Sequence, residues 1–347
     1  MQNVTIIGLG LIGGSIGLGL KRWSNNEGKR EDVLRVIGFD VNLDQQNYAK
    51  KIKAVDRTEW NLLNAVEEAD FVVVAVPALA VREVFESIGP RVKEGAVITD
   101  VTSTKADVMV WAKELLPERA HFIGSHPMAG SAQSIEGASA DLFQGATWCV
   151  CPSVSADDAA VQTVLGMISA LGAAALFVDP HEHDGYVGAV SHLPFMLSTA
   201  LMRSVSRDPA WRDMKKLTST GFRDASRLAG GSPSMHRDIC VTNREALARW
   251  TDEAIEELQY MRSLIAAGTD EADETLLHIF EEARDARAAW ATTERGDGKL
   301  VQETEGELTD MSVQGQFSQM FFGSMFRRKP RVGAERNGAS TDKRGQR

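Results

Sequence analysis

The chain has 347 residues, 43% of them hydrophobic and 25% charged, with 38 Lys and Arg against 48 Asp and Glu for a formal net charge of −10. That size accommodates two domains and a tail, and the acidic balance argues against a nucleic-acid partner, which would call for a basic face. Three cysteines, Cys149, Cys151 and Cys240, are too few for a disulfide framework, and neither a bilayer-length apolar run nor a basic-then-apolar leader is apparent, so the expectation is a cytoplasmic protein with no membrane partner.

Residues 3–9, NVTIIGL, form an apolar, β-branched run, followed by a glycine cluster and a helical stretch to about Trp23. The polar loop SNNEGKRED leads to a second strand, VLRVIGF, ending at Asp40. Further strand signals are FVVVAVP (71–77), AVITDV (96–101), HFIGSHP (121–127), TWCVCPS (147–153) and ALFVD (175–179). Strands alternating with helical segments predict an α/β fold, a Rossmann-type doubly wound parallel sheet over residues 1–179. The nearly unbroken apolarity of each run fits a sheet covered on both faces. From His181 to Thr293 no strand is evident, and apolar residues recur at helical spacing over Trp250–Ala267 and 271–290. A second, all-helical domain is therefore placed at 180–293. Residues 294–347 read as a polar, disordered tail, basic over 327–347.

Gly8, Gly10, Leu11, Ile12 and Gly13 follow a strand and open a helix. In that context the first glycine of G-x-G-x-x-G permits a tight turn, the second lets backbone approach a pyrophosphate, and the third lets helix pack on strand. The helix N-terminus supplies free N–H groups to the phosphates. Asp40, at the end of the second strand, is suited to accept hydrogen bonds from the ribose hydroxyls of NAD and to repel the extra phosphate of NADP. Arg22 and Arg30 are near enough in sequence to leave NADP open.

Asp100–Lys105, DVTSTK, follows the fourth of these strands, and Gly124–Gly130, GSHPMAG, contains the fifth strand's end. Ligands of open parallel sheets bind beyond the carboxyl ends of the strands, so both segments should border the nicotinamide. His126 there is suited to take a hydroxyl proton, with Ser103 bonding the same oxygen or orienting the imidazole. In GFRDASR, Arg223 and Arg227 are four residues apart and share a face if helical. Asp224 would neutralise one and a substrate carboxylate would engage the other; a solvated basic face is the plainer alternative. His181, His183, Asp184, Cys149 and Cys151 suit no common closed zinc site, and no metal is expected.

GLGLIGGSIG, DVTSTK, GSHPMAG, HDGYVGAVSHLP and GFRDASRLA, in this order, closely resemble the prephenate and arogenate dehydrogenase family, cyclohexadienyl dehydrogenases included, over roughly residues 3–290. The resemblance implies a dinucleotide-binding domain followed by a helical domain that forms a homodimer. It implies oxidative decarboxylation of prephenate to 4-hydroxyphenylpyruvate with NAD reduction, in tyrosine biosynthesis, or of arogenate to tyrosine. Carried onto matching positions, His126 would accept the proton of the ring C4 hydroxyl with help from Ser103. Arg227 would hold a substrate carboxylate, with Arg223 and His192 lining the same pocket.

Two departures stand out. Many prephenate-specific relatives carry an acid just after HPMAG; here the run is Ser131-Ala132-Gln133, and Glu136 follows. An acid near the substrate side chain would favour the amino group of arogenate. The last 50-odd residues are too few and too charged for the βαββαβ regulatory domain of some relatives. Phe317, Phe321, Phe322 and Phe326 recur near helical spacing before the basic end and suit docking on the core better than a membrane surface. Another hydroxy-acid dehydrogenase on a similar plan, or an NAD-sensing protein without turnover, are the competing functions.

Overall fold

In the computed structural model, residues 2–26, 34–130 and 133–296 are described. Eight strands form one sheet: β1 (Gln2–Ile7), β2 (Leu34–Phe39), β3 (Arg57–Thr58), β4 (Phe71–Val74), β5 (Val97–Asp100), β6 (His121–Pro127), β7 (Thr147–Cys151) and β8 (Ala174–Phe177). Their order is β3-β2-β1-β4-β5-β6-β7-β8. The order reverses between β1 and β4, which opens a crevice at the carboxyl ends of these two strands.

The apolar runs are explained by burial on both faces. Val73 and Val97 face a core layer shared with Ile16 and Leu20 of the helix Leu11–Asn26. Val72, Val74 and Ile98 face the other layer, with Val81, Phe85 and Ile88 of the helix Ala78–Ile88 and Val108 of Ala106–Leu115. Successive side chains of a strand point to opposite faces, so a strand between two apolar layers has no polar side.

Two features depart from the expected parallel sheet. Strand β7 runs antiparallel to β6, while β8 is again parallel to β7. Parallel pairing of consecutive strands needs a crossover, commonly a helix, and among the described residues the one helical element of the β6–β7 connection is the short turn Ile135–Gly137. Strand β3 has two residues and no apolar run, so it leaves no periodic signal.

After β8 the chain is helical as far as Gly296 among the described residues. Asp179 accepts from the N–H groups of His181 (2.8 Å) and Glu182 (3.3 Å) and so caps the helix Pro180–Val187, with Pro180 at its start. A π-helical turn, Gly188–His192, joins it to Leu193–Ser206. Shorter helices include Thr220–Ser226 and Pro233–Thr242, and the long pair Arg244–Ala267 and Asp270–Gly296 follows, divided by Gly268 in the left-handed region (φ 60°). That pair leaves Ile255, Leu258, Ile265, Leu277 and Phe280 exposed. The last helix extends three residues into the segment expected to be a disordered tail. The rest of that segment, including Phe317, Phe321, Phe322 and Phe326, lies outside the described residues. Among those residues no helix is long and apolar enough to cross a membrane.

Candidate active site

Two glycines of the turn are fixed by the protein and one by nothing in it. Gly8 has φ +94°, and a Cβ there would lie 2.3 Å from the Ala75 carbonyl oxygen; at Gly13 it would lie 1.9 Å from that of Gly8. At Gly10 it would meet no atom within 4 Å. Close packing explains the first and third glycine, and open space at the second fits the approach of a pyrophosphate. The first intrahelical bond runs from the Gly14 N–H to the Gly10 carbonyl (2.9 Å). The N–H groups of Leu11, Ile12 and Gly13 therefore precede the ladder and suit phosphate.

Asp40 stands at the end of β2 beside this turn. Its Oδ2 accepts from the Leu9 N–H (2.7 Å) and its Oδ1 from the Asn42 N–H (2.8 Å). The carboxylate is thus held against the glycine turn, and these residues fit NAD. Arg22, which left NADP open, is turned elsewhere: it pairs with Asp141 and donates to the Ala140 carbonyl (2.9 Å). Arg30 lies outside the described residues.

Beyond the carboxyl ends of β5 and β6 a buried polar cluster assembles. Lys105 and Asp100 form an ion pair with both side chains fully buried. Lys105 Nζ also donates to the Ser125 carbonyl (2.8 Å), and Asp100 accepts from the N–H groups of Thr102 (2.9 Å) and Ser125 (3.2 Å). A buried charge pair is tolerable only when its remaining hydrogen-bonding capacity is used, and here that use ties the loop after β5 to β6. His126, 7% exposed, lies near the end of β6. Its Nδ1 is 3.0 Å from His183 Nε2, and His183 Nδ1 is 2.8 Å from Asp184 Oδ1. Asp184 also accepts from the N–H groups of Lys105 (2.7 Å, Oδ1) and Ala106 (2.9 Å, Oδ2). This carboxylate, from the first helix of the helical half, therefore caps the helix Ala106–Leu115 of the sheet half.

His192 closes the π-helical turn. Such turns concentrate at functional sites. Its Nδ1 accepts from Asn243 Nδ2 (3.0 Å), which also donates to the Asp184 carbonyl (2.7 Å). The proton of neutral His192 is therefore on Nε2, a fully buried atom with no hydrogen-bond partner among the described residues. A buried unpaired donor is unfavourable, and this one is free to serve a polar ligand. Burial pushes the pKa of His192 down to about 4 against a partial opposing pull from Asp184. Burial, followed by His183, Lys105 and His192, holds His126 well below the usual histidine range. Both rings are neutral near pH 7. Cys149, opposite His126 across the β6–β7 pair, is raised by burial, and Cys151 is pushed up to about 12, so neither supplies a thiolate.

The remaining expected site residues lie less centrally. Ser103 is half-buried in the loop before Lys105 and makes no hydrogen bond to a described residue. Arg223 lies in Thr220–Ser226 and Arg227 opens the tight turn Arg227–Gly230; both are exposed. Asp224 forms no ion pair with either among the described residues, contrary to expectation, which leaves both guanidinium groups available. This segment is held to the helix Leu193–Ser206 by the Ala229 N–H donating to Ser198 Oγ (2.9 Å). Glu136 is exposed in the turn Ile135–Gly137, which packs against the helices Leu11–Asn26 and Leu43–Lys51. His183 is engaged with His126 and Asp184, and His181 is exposed.

Lys105, Asp100, His183 and Asp184 stood in the noted motifs without an assigned role; their spacing, five residues and one, was the available signal. Asn243 left none.

A glycine-turn cofactor cradle and a buried histidine cluster between a doubly wound sheet and a helical half define an NAD-dependent oxidoreductase. Residues 24–176 match the family model for the nucleotide-binding domain of prephenate dehydrogenase, and residues 179–282 the model for its dimerization domain. The chain is 32% identical to prephenate dehydrogenase of Bacillus subtilis over 298 residues, 85% of this chain and 78% of that one. A solved prephenate dehydrogenase from A. aeolicus, in complex with hydroxyphenyl propionate and NAD+, superposes with a TM-score of 0.75 at 27% identity, covering 83% of this chain and 98% of that one. Arogenate dehydrogenase of Synechocystis gives 0.67 at 26% identity, covering 83% and 100%. The chain belongs to the prephenate dehydrogenase family.

Proposed function

We propose that this protein oxidises and decarboxylates prephenate to 4-hydroxyphenylpyruvate with reduction of NAD, a step of tyrosine biosynthesis. The observation that carries the reading is a buried histidine pair beyond the strand ends, His126 held at Nδ1 by His183 and His192 held at Nδ1 by Asn243, with His192 Nε2 left without a hydrogen-bond partner among the described residues.

NAD, when bound in the glycine cradle, supplies the two-electron acceptor. His126 takes the proton of the C4 hydroxyl as that carbon is oxidised. The bond to the ring carboxylate then breaks, its electron pair enters the ring, CO2 leaves and a phenolate forms. Protonated His126 returns its proton to that oxygen, so the residue ends as it began. Aromatisation drives carbon dioxide loss, and the chain's task is mainly to position and to exchange one proton. Ser103 steadies the same oxygen. His192 donates its Nε2–H to a polar group of the substrate, while Arg227 and Arg223, both exposed and unpaired with Asp224, hold its carboxylates. The exposed apolar face of the long helix pair fits a homodimer, as does the match to a dimerization domain. Free cysteines fit a cytoplasmic setting.

The test is NADH formation by the purified protein with prephenate and with arogenate, using NAD and then NADP. Turnover of prephenate with NAD is expected. Turnover of arogenate alone would assign the amino-acid substrate, and no turnover of either would overturn the reading. Arg227→Ala is expected to raise KM for the substrate with a smaller change in kcat; an unaltered KM would remove that role.

A further inference from the structure

Resting on that reading, we infer that His183 and Asp184 are positioning residues that lock the tautomer of His126, presenting its Nε2 lone pair to the substrate hydroxyl.

The lock follows from counting donors. Both oxygens of Asp184 are occupied by backbone N–H groups, those of Lys105 and Ala106. The carboxylate is thereby held as an acceptor, so His183 Nδ1, 2.8 Å from Oδ1, carries the proton of that contact. An imidazole that carries its one proton on Nδ1 has its lone pair on Nε2. A neutral imidazole protonated on Nδ1 has its only lone pair on Nε2, the form a base requires. The opposite tautomer would place two lone pairs face to face at 3.0 Å and leave no acceptor for the substrate.

The same chain serves the protonated state. When His126 takes the substrate proton, its Nδ1–H already points at a histidine backed by a carboxylate, which stabilises the positive charge without rearrangement. The groups facing His126 are His183 from the helix Pro180–Val187, Lys105 from the loop after β5, His192 from the π-helical turn and Cys149 from β7. Lys105 opposes a charge on His126; Asp184, acting through His183, offsets it. Because Asp184 belongs to the helical half and its two backbone donors to the sheet half, the lock exists only while the halves are in register.

The direct experiment is a long-range ¹H–¹⁵N correlation spectrum of histidine-labelled wild-type protein above pH 7, with His126 assigned by comparison with the His126→Asn spectrum. The expected result is an unprotonated Nε2 and a protonated Nδ1 on His126. A protonated Nε2 would overturn the inference, and this reading needs no folded His183 variant. In kinetics, His183→Leu is expected to lower kcat by about ten- to a hundredfold with KM for prephenate and NAD near wild type. His183→Gln, which restores an acceptor toward His126, is expected to recover part of the loss. Wild-type kcat in His183→Leu would also overturn the lock. If wild-type protein turns over neither prephenate nor arogenate, the functional reading fails while the tautomer measurement still decides the inference.

Discussion

Asn243 places one amide nitrogen 3.0 Å from His192 Nδ1 and 2.7 Å from the Asp184 carbonyl oxygen. One side chain thereby sets the proton of His192 on Nε2 and joins the π-helical turn to the helix that bears Asp184. With His126 in the tautomer inferred above, the two imidazoles present opposite groups, one an acceptor and the other a donor. Asn243→Ala frees the His192 ring to take either tautomer and to rotate. The expected outcome is a rise in KM for prephenate of roughly tenfold, the scale of one lost buried hydrogen bond. Steady-state kinetics at saturating NAD checks it, and an unchanged KM would detach His192 from substrate binding.

The glycine turn separates structural from cofactor-binding roles. Gly13→Ala would force a methyl group to 1.9 Å from a backbone oxygen, whereas Gly10→Ala meets nothing in the protein. Gly13→Ala is therefore expected to destabilise the fold and lower Tm by several degrees. Gly10→Ala should keep Tm and weaken NAD binding alone. Thermal melts and NAD titration of both variants check this; equal behaviour would contradict the assignment.

The fully buried Lys105–Asp100 pair makes a sharp stability prediction. Lys105→Met removes one partner and leaves Asp100 as a buried charge without its counterion. Breaking such a pair is expected to lower unfolding stability by about 3–5 kcal/mol. Urea denaturation measures it, and a loss under about 1 kcal/mol would mean that the surrounding N–H groups alone support Asp100.

Acid should affect activity and stability in the same direction. The pKa of His126 is depressed mainly by burial, so the base remains neutral, and kcat/KM level, as pH falls to the ordinary histidine value of 6.5. Loss is expected only below it. For stability, a histidine with a lowered folded pKa binds fewer protons folded than unfolded. Its contribution is complete above about 6.5 and declines as pH falls towards the folded value. For His192, falling from 6.5 to about 4, the decline amounts to on the order of 3 kcal/mol when complete. Melting points at pH 8 and pH 5 check the sign; a higher melting point at pH 5 would contradict it.

Much of this was legible in the residues and some was not. Six strands showed as apolar runs because both faces of the sheet are buried there; β8 showed as one although Leu176 and Phe177 are exposed, and β3, with two residues, had no run to show. The antiparallel turn of β7 was hidden because periodicity reports which faces are buried and carries no strand direction. The glycine turn and Asp40 could be placed because each is dictated by local backbone geometry. His126 could be placed by its position after a strand. Its partners could not: His183 lies 57 residues away, and Asn243 reaches His192 across 51. Hydrogen bonds between such distant segments depend on how the two halves pack, which no local pattern encodes. Asp224 showed the reverse error, since proximity in sequence to Arg223 and Arg227 did not become an ion pair among the described residues.

The claim on which the chemistry rests is that His126 exchanges the substrate proton and does not merely support the fold. It is tested most directly by measuring NADH formation from prephenate by His126→Asn beside its NAD dissociation constant. The expected result is a fall in kcat of about 10²–10⁴-fold with NAD affinity retained. Turnover within a few-fold of wild type, or a loss fully explained by lost NAD binding, would contradict it.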